Sequence, residues 1–211
     1  MTSVKKIYGF YHICDIGDWR DIVDEQIRKL KSSGLYQETE MIYYTFLGNE
    51  PFIIVDPKFK CIFYSKNKSI FEYRAINSIL DFCKKNNDVY VYYFHTKGCT
   101  RYKTPVEENC RRWRHYMEYY NFKCYQEAID ALETHDTCGT LYSWWKAKHY
   151  SGNFWWAKGD YIKKLKPLKI GEDRFDTEKW IMSENPICKN LGMNIDESGD
   201  TYIRSVPDLN F

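Results

Sequence analysis

The feature that most constrains the fold is the run Val89–Phe94 (VYVYYF), which is apolar or aromatic at every position. A strand that is exposed on one face alternates apolar and polar residues, whereas a strand that is covered on both faces is continuously apolar. The run therefore predicts a central strand of a largely parallel sheet. The order strand, helix, strand, strand, helix, strand up to this run indicates a single α/β domain.

Apolar periodicity and turn residues locate the other elements. We predict strands at 5–14, 40–47, 51–55, 61–64 and 137–144, and a strand or tight turn at 152–157. We predict helices at 18–33, 70–84, 105–120, 125–133, 158–165 and 177–182. From residue 184 onward we predict loops.

The overall composition excludes several classes of protein. The 31 Lys and Arg nearly balance the 29 Asp and Glu, and a net charge of +2 gives no electrostatic footprint for nucleic acid or an anionic membrane. No apolar run approaches the ~18 residues of a membrane span, and the N-terminus lacks an apolar signal core. We therefore expect a cytoplasmic protein whose eight cysteines, none in a CxxC pair, are reduced thiols rather than zinc ligands.

Aromatic residues make up 18% of the chain. Tyr and Trp combine a flat apolar face with a polar tip, which suits ring-shaped polar ligands such as sugars and bases. A codon bias explains the Tyr and Phe content equally well.

Four polar residues, His95–Gly98 (HTKG), follow the predicted central strand directly. Ligands of open α/β sheets bind outside the carboxyl ends of the central strands. Lys97 can neutralise a phosphate, Thr96 can hydrogen-bond to it, and Gly98 lets the backbone approach closely. His95 can bind a metal or a phosphate. An ordinary exit from strand to loop explains the pattern equally well.

A second motif, His149–Ala157 (HYSGNFWWA), joins a turn signal to two adjacent tryptophans. In a strand, Trp155 and Trp156 point to opposite faces, so one can line a sugar site while the other packs in the core. Burial of both rings is the commoner outcome for such a pair.

A third motif, Gly171–Trp180 (GEDRFDTEKW), carries four acids within seven residues. Such clusters are usually solvated, but a carboxylate here can also serve as the general base that deprotonates a sugar hydroxyl. The arginines at 111, 112 and 114 can form a phosphate patch, although nearby acids favour a solvated amphipathic helix.

In the order FHTKG, WRHYM, SGNFWWA, RFDTEKWI, these motifs resemble a GT-A glycosyltransferase family of microbes and large DNA viruses. The resemblance covers essentially the whole chain and implies a mixed, mostly parallel central sheet flanked by helices. It implies a nucleotide-binding part at about 1–100 and an acceptor-binding and catalytic part at about 101–211. The polar end SVPDLNF is compatible with a chain that is the N-terminal part of a longer protein.

The resemblance also implies the reaction. A sugar moves from UDP-L-rhamnose or UDP-glucose to a glycan acceptor such as a viral capsid glycan, with inversion favoured and Mn²⁺ or Mg²⁺ as cofactor. His95, Thr96 and Lys97 stand where such enzymes carry an Asp-x-Asp metal motif, which this chain lacks. We therefore expect Lys97 to hold part of the diphosphate, and His95 to ligate a metal together with diphosphate oxygens and water.

The remaining site residues follow from the same resemblance. The nucleobase and phosphates are expected to contact His12, Ile13 and Arg74. The acceptor and the sugar are expected to contact Gly152, Asn153 and Trp155. The catalytic base is expected at Glu178, with Asp173 as the second candidate.

Two other functions stay open. A non-catalytic carbohydrate-binding module would use the aromatic residues and would bind glycans without a nucleotide. A nucleotidyltransferase would consume free nucleoside triphosphate, but the chain has no GxxxxGK[ST] phosphate-binding loop.

Overall fold

A seven-stranded sheet forms the centre of the molecule in the computed structural model, which describes residues 5–144, 147–171, 173–193 and 206–211. In chain order the strands of this sheet are β1 (Lys6–Cys14), β2 (Thr39–Leu47), β3 (Phe59–Ser65), β4 (Val89–His95), β5 (Thr137–Thr140), β8 (Trp155–Lys158) and β9 (Cys188–Leu191). Two short strands, β6 (Tyr142–Ser143) and β7 (His149–Tyr150), pair with each other.

The spatial order of the strands is β3-β2-β1-β4-β8-β5-β9. Strand β8 is antiparallel to both of its neighbours, and the other adjacent pairs are parallel. The predicted mixed, mostly parallel sheet is therefore confirmed. Strands β2 and β3 lie on one side of β1 and β4 lies on the other, so the strand order reverses between β1 and β4.

Helices cover both faces of the sheet, as predicted. One face packs against α1 (Trp19–Ser32), α2 (Leu35–Glu38), α4 (Glu107–Glu118) and α5 (Tyr125–Thr134). The other face packs against α3 (Tyr73–Lys85), α6 (Gly159–Ile162) and the turn that follows α7 (Asp176–Lys179).

The central strand β4 has the double burial that its sequence predicts. Tyr90, Tyr92 and Phe94 pack into the core on one face of the sheet, while Val89, Val91 and Tyr93 pack into the core on the other. None of these six residues is more than 5% exposed. This strand therefore joins the two halves of the core.

The prediction of a strand at 51–55 is wrong. These residues form a loop in which Ile53 and Val55 are 74% and 97% exposed. The Tyr44 hydroxyl donates to the Phe52 carbonyl and accepts the Ile54 N–H, so a side chain supplies hydrogen bonds that a neighbouring strand would otherwise make.

Two further strands differ from the prediction. The predicted strand 137–144 is interrupted at Leu141, which has a φ of 56° and separates β5 from β6. The region predicted as loop after residue 184 contains β9, which pairs in parallel with β5. Residues 194–205 of that region lie outside the described part of the chain.

Every helix among the described residues is too short or too polar to cross a lipid bilayer.

A buried ionic network joins α1 to α4. Glu118 is fully buried, and its carboxylate lies 2.8 Å from the Lys29 amine and 3.3 Å from Arg114 Nε. Gln26 also donates a hydrogen bond of 2.8 Å to this carboxylate. Glu25 lies 2.8 Å from Lys29 and 3.0 Å from Arg114, so each cation has two acidic partners.

The same network supports the residues that follow β4. The Gln26 amide donates to the His95 carbonyl at 3.1 Å, and the Arg114 guanidinium donates to the Lys97 carbonyl at 3.2 Å. The backbone of the HTKG segment is therefore held by side chains of α1 and α4.

We expect Glu118→Gln to lower the free energy of unfolding by about 2–4 kcal/mol, because two buried cations then lose one of their counter-charges. Urea denaturation measures the change. The matched control is Glu108→Gln on the surface of α4, where the pairs with Arg111 and Arg112 are half-exposed and contribute at most about 1 kcal/mol. Equal losses in the two variants would contradict the importance of the buried network.

Candidate active site

A cavity of about 330 Å³ opens at the carboxyl ends of β1 and β4, where the strand order reverses. Ligands of open α/β sheets bind at this position. Four segments and one residue of α4 form its walls. They are His12, Cys14 and Ile16 at the end of β1 and just after it; Lys68, Ser69, Phe71 and Glu72 before α3; His95–Arg101 at the end of β4 and after it; Arg174, Thr177 and Glu178 around α7; and Cys110.

The cavity has an excess of positive charge. Four cationic side chains line it, against two carboxylates, which gives the lining an excess of two positive charges. These side chains are Lys68, Lys97, Arg101 and Arg174, and the carboxylates are Glu72 and Glu178. The whole chain carries a net charge of only +2, so its cations are arranged locally to suit an anionic ligand.

Five of the predicted site residues line the cavity: His12, His95, Thr96, Lys97 and Glu178. The Lys97 amine lies 4.1 Å from the centroid of the Trp113 ring, a cation–π distance. Gly98 has a φ of 92°, which lets the chain turn sharply after Lys97. The motif after the central strand thus lies at the site.

Thr96 ties the ends of β1 and β4 together. Its hydroxyl accepts the Cys14 N–H at 3.1 Å, and its own N–H donates to the His12 carbonyl at 3.1 Å. The side chain is buried. Its hydroxyl therefore has a structural role, and its contact with a phosphate stays a prediction.

Four other predicted residues do not line the cavity. Ile13 and Trp155 are fully buried in the core, and Trp156 is as well, so burial of both tryptophans is the observed outcome. The Arg74 guanidinium lies 5.3 Å from the Phe63 ring centroid on the surface. Asp173 is exposed, and its carbonyl accepts the Tyr73 hydroxyl.

Gly152 and Asn153 do not line the cavity, but they form hydrogen bonds with residues that do. The Gly152 carbonyl lies 2.9 Å from His95 Nε2 and so accepts its N–H, and the Asn153 amide donates to Glu72 at 2.8 Å. Gly152 has a φ of 91°, and a Cβ there would collide with the Met117 sulfur. These two residues orient groups that line the cavity.

Glu72 is a cavity residue that sequence reasoning missed. Its side chain is 17% exposed, and one carboxylate oxygen accepts the Tyr93 hydroxyl at 2.7 Å together with the Asn153 amide. The other oxygen lies 4.0 Å from His95 Nδ1. Burial by itself would raise the pKa of Glu72, but the imidazoles of His95 and His12 and these hydrogen bonds outweigh it and lower the pKa.

No local pattern in the sequence marks Glu72. It precedes α3 in the segment SIFEYRAIN, where it resembles an ordinary acid at a helix start. Its hydrogen-bond partners are 21 and 81 positions away, at Tyr93 and Asn153. Only the folded topology brings them together.

The two histidines of the cavity differ in their environment. His12 is 5% exposed, its Nδ1 lies 2.9 Å from the Thr45 hydroxyl, and burial lowers its pKa to about 4 although Glu72 opposes the shift. His95 donates from Nε2 to the Gly152 carbonyl, which leaves Nδ1 facing Glu72. His12 is therefore neutral near pH 7, and His95 presents a fixed nitrogen to the carboxylate.

The cavity side chains do not fit a metal site formed by protein ligands alone. Within the described ranges, only Glu25, His115 and Glu118 bring three candidate ligand atoms within 4.8 Å of one another. These residues belong to the buried ionic network, where Lys29 and Arg114 neutralise the two carboxylates. The metal role predicted for His95 stays a prediction.

The pKa of His12 predicts a loss of stability in mild acid. Below pH 6.5 the unfolded chain binds a proton at His12 that the folded protein does not bind until about pH 4. The free energy of unfolding should therefore fall by up to about 3 kcal/mol from this group as pH drops through that interval. Urea denaturation of the wild type and His12→Asn at pH 7, 6, 5 and 4.5 measures it. An unchanged pH dependence in the variant would contradict the assignment.

Comparison with known proteins identifies the family of this chain and a distant structural similarity. The chain is similar to the solved structure of the bifunctional IspDF from Campylobacter jejuni, with 8% sequence identity and a TM-score of 0.47. The similarity covers 96% of this chain and 52% of that chain, so this chain spans about half the length of that protein. No curated protein matches the chain. The family DUF8361, described as a domain of unknown function, matches residues 12–170, well over half of the chain, and the chain therefore belongs to that family.

Proposed function

We propose that the protein is a glycosyltransferase that moves a sugar from a nucleoside-diphosphate sugar to a hydroxyl group of a glycan acceptor. The observation that carries the proposal is the cavity at the carboxyl ends of β1 and β4, because it combines an excess of positive charge with a carboxylate on its wall. Each phosphate of a sugar nucleotide is a singly charged diester. The charge of such a donor therefore matches the two excess cations.

The walls of the cavity suit the parts of such a donor. The amines of Lys68 and Lys97 suit the diphosphate. The ring of Phe71, which is 43% exposed, and the side chain of Ile16 offer apolar surface for a nucleobase. A volume of about 330 Å³ lies within the usual range of small-molecule sites. Uridine is the base that the GT-A resemblance favours.

The proposed reaction is a single displacement with inversion. Glu178 accepts the proton of the acceptor hydroxyl while the acceptor oxygen bonds to the anomeric carbon of the sugar. The bond from that carbon to the diphosphate breaks, and the electron pair leaves with the diphosphate oxygen, whose charge Lys97 stabilises. Because the cavity lacks a protein-only metal site, no step is assigned to a divalent ion.

Other features fit this proposal better than the alternative of a carbohydrate-binding module. That module would use exposed aromatic faces, but Trp155 and Trp156 are fully buried.

A cytoplasmic location, which we propose with the activity, agrees with eight cysteines that are all free.

Calorimetric titration with UDP, GDP and CMP tests nucleotide recognition. We expect UDP to bind more tightly than CMP because its diphosphate meets the cations, and more tightly than GDP because the GT-A resemblance favours uridine. Absence of binding by all three nucleotides would refute the proposal and would favour the carbohydrate-binding module.

A second test concerns the base. We expect Glu178→Gln to slow sugar transfer by about 10²–10⁴-fold, the usual contribution of a general base, and to leave UDP affinity within about threefold. Asp173→Asn is the matched control, because Asp173 is an acid of the same segment that does not line the cavity. Its transfer rate should stay close to that of the wild type.

Transfer rates with a UDP-sugar donor, and melting curves for all three proteins, separate the outcomes. Loss of transfer in Asp173→Asn with retention in Glu178→Gln would assign the base to Asp173. Loss of folding in Glu178→Gln would make Glu178 structural.

A further inference from the structure

We infer that the cavity binds the diphosphate of its donor through its own lysine and arginine side chains, and that no divalent ion is needed for this binding. The inference rests on the proposed function. It departs from the metal that the GT-A resemblance implies, and it assigns Lys68 and Arg174 to a site for which the sequence predicts Lys97 and Arg74 as the cationic residues.

Three metal-binding atoms of the cavity already have another partner. His95 Nε2 donates to the Gly152 carbonyl, so it carries a proton and cannot ligate. One oxygen of Glu72 accepts two hydrogen bonds. His12 Nδ1 pairs with the Thr45 hydroxyl. Among the described residues, no three ligand atoms that line the cavity lie within 4.8 Å of one another.

The thiols of Cys14 and Cys99, which line the cavity, do not supply the missing ligands. Burial raises the pKa of Cys14 to about 12, and burial also raises the pKa of Cys99. Both groups are therefore neutral thiols near pH 7, whereas thiolates are the form that binds metals.

Lysine amines approach the cavity from two different segments. Lys97 follows β4, and its position is fixed at both ends: its carbonyl accepts from Arg114, and its amine lies over the Trp113 ring. Lys68 precedes α3, and its amine donates to the Asp15 carbonyl at 2.6 Å, so it reaches across to the end of β1. Both lysines therefore line the cavity in positions that are fixed by contacts already formed.

Arg174 adds a third cation from the segment before α7. Its guanidinium lies 4.8 Å from the Phe175 ring, on an exposed part of the wall. A guanidinium binds two phosphate oxygens at once, and an ammonium binds one as a point charge. Together these groups can perform the neutralisation that a divalent ion performs elsewhere, because both act by opposing the charge of the diphosphate.

The experiment measures diphosphate binding by calorimetry, with UDP, uridine and inorganic pyrophosphate in EDTA, and with UDP in Mn²⁺ and in Mg²⁺. We expect UDP affinity in EDTA to be within about threefold of that with either ion. In EDTA, Lys97→Met and Lys68→Met should each weaken UDP by at least about tenfold and leave uridine unchanged. Lys66→Met is the matched control, since this lysine is exposed and lies outside the cavity.

The outcomes distinguish this inference from the proposed function. A gain of at least about tenfold in UDP affinity on adding Mn²⁺ or Mg²⁺ would overturn the inference and leave the transferase proposal intact. Binding of pyrophosphate in EDTA without selective binding of UDP would support the diphosphate site and contradict the nucleotide donor. Lys97→Arg and melting curves control for misfolding, because an arginine that restores UDP binding shows that the charge is what matters.

Discussion

The geometry of the candidate site depends on the buried carboxylate of Glu118. Removing a carboxylate from water is costly, and such a group persists only where several partners compensate it. Here the partners are Lys29, Arg114 and Gln26. Arg114 and Gln26 are also the side chains that hold the carbonyls after β4. These hydrogen bonds fix the backbone of the HTKG segment, whose residues line the cavity. One ionic network therefore holds α1 against α4 and also positions the backbone of the HTKG segment.

A second buried carboxylate, Glu72, acts from the other side of β4. It lies at the start of α3, and it meets the Asn153 amide and the Nδ1 face of His95. His95 is consequently fixed twice, since its carbonyl accepts from Gln26 and its ring donates to Gly152. A side chain held at both its backbone and its ring loses little further freedom when a ligand binds, which is the condition for a preorganised site.

The parts of this fold that depend on local pattern could be predicted from the sequence, and the parts that depend on distant partners could not. The continuous apolar run at 89–94 predicts a strand that is buried on both faces, and HTKG predicts polar residues at the carboxyl end of that strand. The segment 51–55 reads as a strand, yet the Tyr44 hydroxyl takes its backbone hydrogen bonds. Strand β9 (CKNL) has too few apolar residues to be recognised, and its partner β5 defines it. The pKa of Glu72 is likewise lowered only by residues elsewhere in the chain. Among the predicted site residues, Lys97, His95, His12 and Glu178 line the cavity, whereas Trp155 and Ile13 pack in the core.

The distribution of charge within the cavity favours chemistry over simple recognition. Neutral sugars bind to hydroxyl-matching polar groups and aromatic faces, and such binding does not require an ionised carboxylate in a partly buried position. The cavity instead retains Glu72, whose ionisation burial disfavours, beside two imidazoles, and it retains Glu178 on the wall near three positively charged segments. Cations that oppose the charge of a leaving diphosphate and carboxylates that receive a proton are complementary requirements of one displacement reaction. Their presence around a single cavity, at the place between β1 and β4 where the strand order reverses, is what the transferase proposal explains and a binding module does not.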